Sequence, residues 1–489
     1  MSIRSAYVRR NGIEVPYDSF IHNQLHLFTY KPPVDPELIE KYGIPDKDPI
    51  PRYKPFMRDG ERYILFPIFT GVTLKKFIQK FTVEPVYEPR RMSNISWSPD
   101  KFYDYQVAAA NYIMANNYCS KRVDNMTASC VVDLWTGAGK TFLAILLSMM
   151  LGVRTLYITN RKKLALQAAR DYKTAVPDIK VSLFLDDDAD VTILVVNSAS
   201  DKYKSTDNYK SYGFVIYDEV PKYCTKSFSD IFWLTRCKYN LAMSGTLDRR
   251  PDGGDVLYHD HHGPSLSAAT MNIKTRIDHF HVKVETFAFK APTKYTQTPR
   301  GENKLRSAMR GIALLNENQE RRDFIVTLAT EMLARGHEFY MFVHKRESVD
   351  YYYSRLESLT NTYQMMSGND TTHLMASNLM AVTQSLNSTK DQDDGDYALA
   401  CCGGAIIIAT YSYGETGISF SHMTGAFFVE PPNSIFFDQA VGRILRPGPL
   451  QNKERLIFDI IDYGSMFQKR FTEDRYPFYQ LRKYPVLSR

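Results

Sequence analysis

The sequence has few of the features that mark secreted, membrane-spanning or fibrous proteins. It contains six cysteines in 489 residues, and no two of them form a C-x-x-C pair. That density is too low for a disulfide scaffold and is typical of reduced intracellular thiols. The longest apolar run, near residues 143–153, is shorter than a membrane span, and the polar first 18 residues have no signal-peptide core. We therefore expect an intracellular protein that does not enter a membrane.

Neither charge nor composition points to disorder. Charged residues make up 24% of the chain and the formal net charge is +7, a modest excess that permits binding to a polyanion without requiring it. At about 100–200 residues per domain, the length predicts two or three domains.

From about residue 99 the pattern alternates between helix and strand, which indicates the α/β class with parallel sheets. Five apolar strands there each end in polar residues, and an open α/β sheet builds its site at such strand ends. A single polar strand end could be ordinary turn chemistry, but five are not explained in that way. The predicted divisions are an N-terminal accessory domain (1–98), a first α/β domain (99–264), a connecting region (265–320), a second α/β domain (321–465) and a basic C-terminal tail (466–489).

The sequence DLWTGAGKT at residues 133–141 joins a β-branched apolar run to a strongly apolar helical run. This order is typical of a phosphate-binding loop, in which glycines bring backbone N–H groups close to oxyanions. Lys140 would contact the β- and γ-phosphates, and the Thr141 hydroxyl would bind Mg²⁺. The stricter G-x-x-x-x-G-K-[ST] pattern has glycine where this chain has Leu134, so the alternative is a glycine turn that happens to carry a lysine. The predicted loop residues are Thr136, Gly137, Ala138, Gly139, Lys140 and Thr141.

Two acids, Asp218 and Glu219, end an apolar strand 78 residues after Lys140. ATP hydrolysis needs one carboxylate to hold Mg²⁺ and another to activate water. Asp218 suits the first role and Glu219 the second. A single acid there would be better explained as a capping residue, but together with the phosphate loop the pair favours the catalytic interpretation.

The second α/β domain contains QAVGRILR at residues 439–446. Arg443 and Arg446 are three residues apart, which predicts that they share one face of a helix. An arginine presented to the γ-phosphate from another domain stabilises transition-state charge. The alternative is a solvated basic helix face.

With these motifs in this order, the chain resembles the superfamily 2 helicases of the DEAD/DEAH-like type. Residues 136–141 resemble motif I, residues 218–221 motif II, residues 244–246 motif III and residues 439–446 motif VI. The resemblance implies two tandem RecA-like (P-loop NTPase) domains, ATP and Mg²⁺ as cofactors, and a nucleic-acid-dependent ATPase with ATP between the domains. It also implies that Gln106 holds adenine, that Ser244 and Thr246 couple hydrolysis to movement, that Gly417 of motif V contacts the nucleotide, and that Gln439 belongs to the catalytic set.

Two positions depart from the family pattern. Motif II continues with Val220-Pro221 where the DEAH type has Ala-His, and motif III has Gly245 where alanine is usual. Both departures leave the catalytic groups in place. Without the histidine, however, the link from motif II to motif III must be made differently.

The segments at residues 60–69, 244–253 and 411–420 resemble the helicases of large cytoplasmic DNA viruses, the group with the poxvirus transcript-release helicase and its asfarvirus relatives. This resemblance implies a DNA-dependent ATPase that works with a viral RNA polymerase and transcription factors. It also implies a monomer in the viral factory of the host cytoplasm, with the virion as a second location.

Basic and hydroxyl side chains near strand ends are predicted to hold a nucleic-acid backbone without reading bases. For the lysines, ordinary surface charge is an equal alternative. The predicted contacts are Arg161, Lys162, Asn197, Ser198, Lys345, Arg346 and Thr410. The sequence thus predicts a helicase or translocase on DNA. The alternatives are an RNA-directed remodeller, a translocase that does not unwind, and a catalytically idle nucleic-acid-binding virion protein.

Overall fold

The computed structural model describes residues 4–31, 48–84, 88–118, 127–201, 206–245, 247, 253–275, 280–290, 304–356, 362–365, 374–376, 406–411, 422–431, 434–446, 450, 452–465 and 467–489. The chain divides into two compact units, residues 1–275 and 276–489. The first unit contains an N-terminal sheet domain and a parallel-sheet α/β domain, and the second contains another parallel-sheet α/β domain. This architecture confirms the predicted fold class.

The accessory domain is a five-stranded sheet covered on one face by short helices. Its elements are β1 (Ser5–Arg9), β2 (Gly12–Pro16), α1 (Ser19–Gln24), β3 (Thr29–Tyr30), β4 (Ile50–Pro51), β5 (Lys54–Arg58), β6 (Glu61–Phe66), α2 (Gly71–Leu74) and β7 (Lys80–Val83). The sheet order is β5-β6-β2-β1-β7, and β3 pairs separately with β4. Alternate apolar residues of β1 and β6 face the helices and form the core, as expected for a sheet with one buried face.

The first α/β domain is a seven-stranded parallel sheet. Its elements are α3 (Asp104–Asn116), β8 (Ala128–Asp133), α4 (Lys140–Leu151), β9 (Thr155–Thr159), α5 (Lys162–Ala175), β10 (Val181–Ser182), β11 (Val191–Val195), α6 (Val196–Asp201), β12 (Phe214–Asp218), α7 (Ile231–Leu234), β13 (Tyr239–Ser244), α8 (Val256–His262) and β14 (Ser265–Ser267). The order is β10-β11-β9-β12-β13-β8-β14. Strands β8, β9, β12 and β13 are therefore adjacent, and their carboxyl ends lie along one edge of the sheet.

The accessory domain packs firmly against this α/β domain. Arg52 forms an ion pair with Asp260 on α8, and both side chains are about 15% exposed. Ile50 is buried within the core of the α/β domain. A Cβ atom on Gly263 would lie 2.6 Å from the Phe69 ring, so the two surfaces are in close contact. The accessory domain therefore keeps a core of its own and is joined to the first α/β domain by a partly buried interface.

The second unit is an eight-stranded sheet with helices around it. Its elements are β15 (Val282–Lys290), α9 (Lys304–Glu317), α10 (Gln319–Ala334), β16 (Phe339–Val343), α11 (Arg346–Leu356), β17 (Thr362–Met365), β18 (Leu374–Ala376), β19 (Ile406–Thr410), β20 (Gly425–Phe428), α12 (Ser434–Ile444), β21 (Arg455–Tyr463), α13 (Phe467–Arg470), α14 (Tyr476–Leu481) and β22 (Val486–Ser488). The order is β18-β17-β19-β16-β20-β21-β15-β22, and within the described residues every pairing except β17–β18 is parallel.

Two predicted divisions differ from the observed elements. The region predicted to connect the domains, 265–320, contains β14 of the first sheet and β15 of the second. The predicted basic tail, 466–489, contains β22, which pairs with β15. Arg475 in that tail is buried and donates to Asp459 at 2.9 Å, so the tail is a packed part of the second unit. None of the helices within the described residues is long and apolar enough to cross a membrane.

A buried ion pair joins the first turn of α10 to the end of β21. The Arg321 Nε and Nη2 atoms donate to the two carboxylate oxygens of Asp462 at 2.6 and 2.9 Å, and both side chains are fully buried. We expect Arg321→Ala to destabilise the protein by about 3–5 kcal/mol, because Asp462 is left as an uncompensated buried charge. Urea unfolding of the full chain measures the effect. Lys469→Ala, which removes an exposed pair with Glu473, should cost less than about 1 kcal/mol; equal losses in the two variants would contradict the prediction.

Candidate functional site

The phosphate loop is formed by residues 134–139, between β8 and α4. Gly137 and Gly139 have φ values of +91° and +73°, a left-handed conformation in which other residues are strained. Lys140 begins α4, and its Nζ atom donates to the Leu134 carbonyl oxygen at 3.0 Å. The lysine ammonium is therefore held beside the loop. The positive end of the α4 dipole lies at the same place.

Asp218 and Glu219 lie at the carboxyl end of β12, on the same edge of the sheet as the loop. The Asp218 Oδ2 atom accepts a hydrogen bond from the Tyr157 hydroxyl at 2.8 Å. Burial, together with the charge of Glu219, raises the pKa of Asp218 to about 6, and Lys140 opposes the shift. Glu219 has φ +55°, which for a residue other than glycine is uncommon and typical of functional positions.

Ser244 at the end of β13 and Gly245 directly after it contact the acidic pair and the phosphate loop, respectively. The Ser244 hydroxyl donates to Glu219 Oε2 at 2.8 Å. Next to it, a Cβ atom on Gly245 would lie 2.9 Å from the Thr136 backbone nitrogen and 3.0 Å from Lys140 Nζ. The segment that resembles motif III thus connects the acidic pair to the phosphate loop without the histidine of the DEAH type. Thr246 lies outside the described residues.

The close contact at Gly245 leaves little room in this chain for the alanine that is usual at this position. We expect Gly245→Ala to displace the Thr136 backbone and to weaken nucleotide binding by about 10-fold, since overpacking typically costs about 1–3 kcal/mol. Titration with a fluorescent ATP analogue measures this. Gly71→Ala is the control, because its Cβ would meet the flexible end of Ile13 at 3.2 Å. Unchanged affinity in Gly245→Ala would contradict the prediction.

Gln106, predicted to hold adenine, lies in the first turn of α3 and is buried. Its Oε1 accepts from the Tyr103 backbone N–H at 3.0 Å, and its Nε2 donates to the Gly139 carbonyl at 3.1 Å. Nearby, the Tyr105 hydroxyl donates to the Ala138 carbonyl at 3.1 Å. Helix α3 is therefore fastened to the phosphate loop, and the adenine contact of Gln106 stays a prediction.

In the second unit, Gln439 and Arg443 lie on α12 and both are buried. The Gln439 Oε1 atom is buried without a hydrogen-bond partner among the described residues. Helix α12 ends at Ile444, so Arg446 follows the helix instead of sharing its face with Arg443 as predicted. Gly417 lies outside the described residues.

The predicted nucleic-acid contacts are divided between the two units. In the first unit, Arg161 and Lys162 are exposed at the start of α5. Asn197 and Ser198 lie in the first turn of α6, because β11 ends at Val195 and the helix follows directly. In the second unit, Thr410 is buried at the end of β19, and Lys345 and Arg346 lie where α11 begins.

Three tyrosines near the site were not predicted. Tyr105 bonds the loop, Tyr157 bonds the Asp218 carboxylate, and the Tyr223 hydroxyl donates to the Asp218 backbone carbonyl. Within an apolar strand, Tyr157 looks like a core residue. The feature that points to its role is the position of its hydroxyl. It lies in the middle of a strand that is buried on both faces, where every polar group needs a hydrogen-bond partner.

The residues at this edge suit a nucleotide and a divalent cation. The Thr141 hydroxyl and Asp218 carboxylate are oxygen ligands, which Mg²⁺ prefers. A lysine, a helix N-terminus and glycines with left-handed backbone suit phosphate. When bound, Mg²⁺ would neutralise phosphate charge; Thr141 and Asp218 would hold it, and Lys140 would orient the phosphates.

Residues 100–249 match the family model described as type III restriction enzyme, res subunit (ResIII). The match includes the phosphate loop, the acidic pair and Ser244. Residues 100–249 form a ResIII helicase domain.

Relatives of this chain include proteins of large DNA viruses. One is African swine fever virus QP509L, named "Putative ATP-dependent RNA helicase", which is 24% identical over 456 residues, covering 88% of this chain and 82% of the relative. A mimivirus protein with the same description, L396, is 22% identical over 363 residues, covering 73% and 64% of the two chains.

Solved structures show the same fold. Yeast Dbp5 bound to RNA and ADP BeF3 aligns with a TM-score of 0.51 and 11% identity over 81% of this chain and 96% of Dbp5. The type ISP restriction–modification enzyme LlaBIII bound to DNA aligns with a TM-score of 0.51 and 14% identity over 79% of this chain and 31% of that enzyme. The helicase domain is therefore followed by a second RecA-like domain, as the resemblance implied.

Proposed function

We propose that the protein is a nucleic-acid-dependent ATPase that moves along a strand as a helicase or translocase. Lys140 binds the β- and γ-phosphates, Thr141 and Asp218 hold Mg²⁺, and Glu219 activates the attacking water. The observation that carries the proposal is the convergence of three strand ends. The loop after β8, the acids after β12 and Ser244 at the end of β13 are joined by direct contacts.

Phosphoryl transfer needs donors that stabilise the charge of its transition state. Gln439, Arg443 and Arg446 are proposed to complete the site from the second RecA-like domain. Two features support this role: Arg443 follows Gln439 by four residues on α12, where the buried Gln439 Oε1 atom has no hydrogen-bond partner within the described part of the chain, and arginine donors stabilise phosphoryl-transfer charge. Opening and closing of the two domains around ATP would then move two backbone-binding surfaces relative to each other.

Steady-state ATP hydrolysis tests the proposal when it is measured without nucleic acid and with single-stranded DNA, single-stranded RNA, and duplexes carrying 3′ or 5′ overhangs. We expect turnover to rise at least about 10-fold with the correct strand. Absence of turnover with every strand would refute an ATPase and favour the idle nucleic-acid-binding protein. That alternative gives no reason for Lys140, Asp218, Glu219 and Arg443 all to be present.

DNA is proposed as the strand, on the resemblance to viral transcript-release helicases. The names of the African swine fever virus and mimivirus relatives favour RNA instead, which makes an RNA-directed remodeller the second candidate. Stimulation by DNA but not RNA separates them. A viral RNA polymerase as partner, action as a monomer, and location in the viral factory and virion belong to the same proposal, which co-purification from infected cells tests.

A further inference from the structure

Tyr157 lies in the middle of β9, beneath the proposed Mg²⁺ site. Its side chain is fully buried. Its hydroxyl donates to Asp218 Oδ2 at 2.8 Å. The phenol oxygen on β9 therefore bonds, across to the neighbouring strand β12, one of the two residues to which the Mg²⁺ is assigned.

This arrangement is more than the satisfaction of a buried hydroxyl. Tyr172 on α5 is also fully buried, and its ring lies edge-on to Tyr157 at 6.3 Å. Its hydroxyl pairs with Ser148 on α4, at 2.8 Å, within the helical layer and away from the acids. Tyr172 thus finds its partner within the helical layer. The hydroxyl of Tyr157 instead bonds the carboxylate at the end of the neighbouring strand.

We propose that Tyr157 is a positioning residue for Mg²⁺–nucleotide binding; this rests on the proposed function. Its hydrogen bond holds the Asp218 carboxylate in one position before the ligand arrives.

Tyr157→Phe removes one oxygen and keeps the ring. A hydrogen bond to a charged group contributes enough that its loss should lower the Mg²⁺-dependent gain in nucleotide affinity by about 10-fold or more. Affinity without Mg²⁺ should change by less than about 2-fold, since Lys140 and the loop are untouched. The measurement is titration of the full chain with a fluorescent ATP analogue, with Mg²⁺ and with EDTA. A general packing defect would lower both affinities together.

Tyr172→Phe is the matched control, because it removes the same atom from a neighbouring buried tyrosine and should leave the gain unchanged. If Tyr157→Phe fails to fold, 3-fluorotyrosine at position 157 keeps the hydroxyl. Its ¹⁹F resonance should shift on addition of Mg²⁺–ATP but not ATP with EDTA, and the same probe at position 172 should not shift.

The outcomes separate the two proposals. If the unmodified chain gains no affinity from Mg²⁺, the proposed ATPase site is wrong. If it gains affinity and Tyr157→Phe gains equally, Tyr157 does not position the site and the inference is overturned. A ¹⁹F resonance at position 157 that does not shift on addition of Mg²⁺–ATP also overturns the inference.

Discussion

Lys140→Ala is expected to reduce ATP turnover at least about 100-fold, the scale on which removing one electrostatic donor lowers catalysis. Lys140 provides the cation at the N-terminus of α4, and it is placed by its bond to the Leu134 carbonyl. Alanine suits the first turn of a helix, so the fold should be kept. Steady-state phosphate release, with thermal unfolding alongside, measures the two effects separately.

The control for this variant is Lys173→Ala, which removes an exposed lysine from the last turn of α5 with the same change of charge. Its turnover should equal that of the unmodified chain. Near-normal turnover in Lys140→Ala would show that the loop does not bind the reacting phosphates, and would contradict its assignment.

Glu219→Gln is expected to lower turnover by about 100- to 10,000-fold, the usual contribution of a general base, while ATP still binds. Glutamine keeps the shape of the side chain and can still accept the Ser244 hydroxyl bond. The backbone conformation at φ +55° is no more strained for glutamine than for glutamate. The loss should therefore fall on the chemical step.

Single-turnover hydrolysis and titration with a fluorescent ATP analogue test this separation. Glu88→Gln is a suitable control, because Glu88 is exposed and pairs with Lys238 outside the site. If Glu219→Gln loses ATP binding as well as hydrolysis, Glu219 has a structural role. If it hydrolyses ATP normally, another group activates the water.

The sequence predicts the centre of each sheet better than its edges. The central strands are continuous apolar runs that end in polar residues, so the local pattern is enough to place Asp218 and Ser244 at strand ends. Strands β14 and β22 have three residues each, and β22 pairs with β15, about 200 residues earlier in the chain. Short strands with such distant partners leave no periodic pattern, which is why the sequence does not predict β14 and β22.

Side-chain roles were harder to predict than strand ends. Spacing alone placed Arg446 on the face of Arg443, but α12 stops at Ile444, before Arg446. The apolar residues in the middle of β9 predict only a buried core strand. Periodicity does not distinguish a tyrosine that only packs from one whose hydroxyl bonds a carboxylate. That distinction depends on β9 and β12 being neighbours in the sheet.

The close packing of the accessory domain against the first α/β domain has a practical consequence for the design of truncated variants. A truncated chain beginning at residue 99 would uncover the apolar surface that covers Ile50 and would deprive Asp260 of Arg52. Such a fragment should be less soluble and less stable than the full chain. A loss of activity in it would therefore not show that the N-terminal residues have a function of their own. Single replacements of exposed residues of β5 and β6, such as Met57, would leave the interface between the two domains intact and would test the function of the N-terminal domain alone.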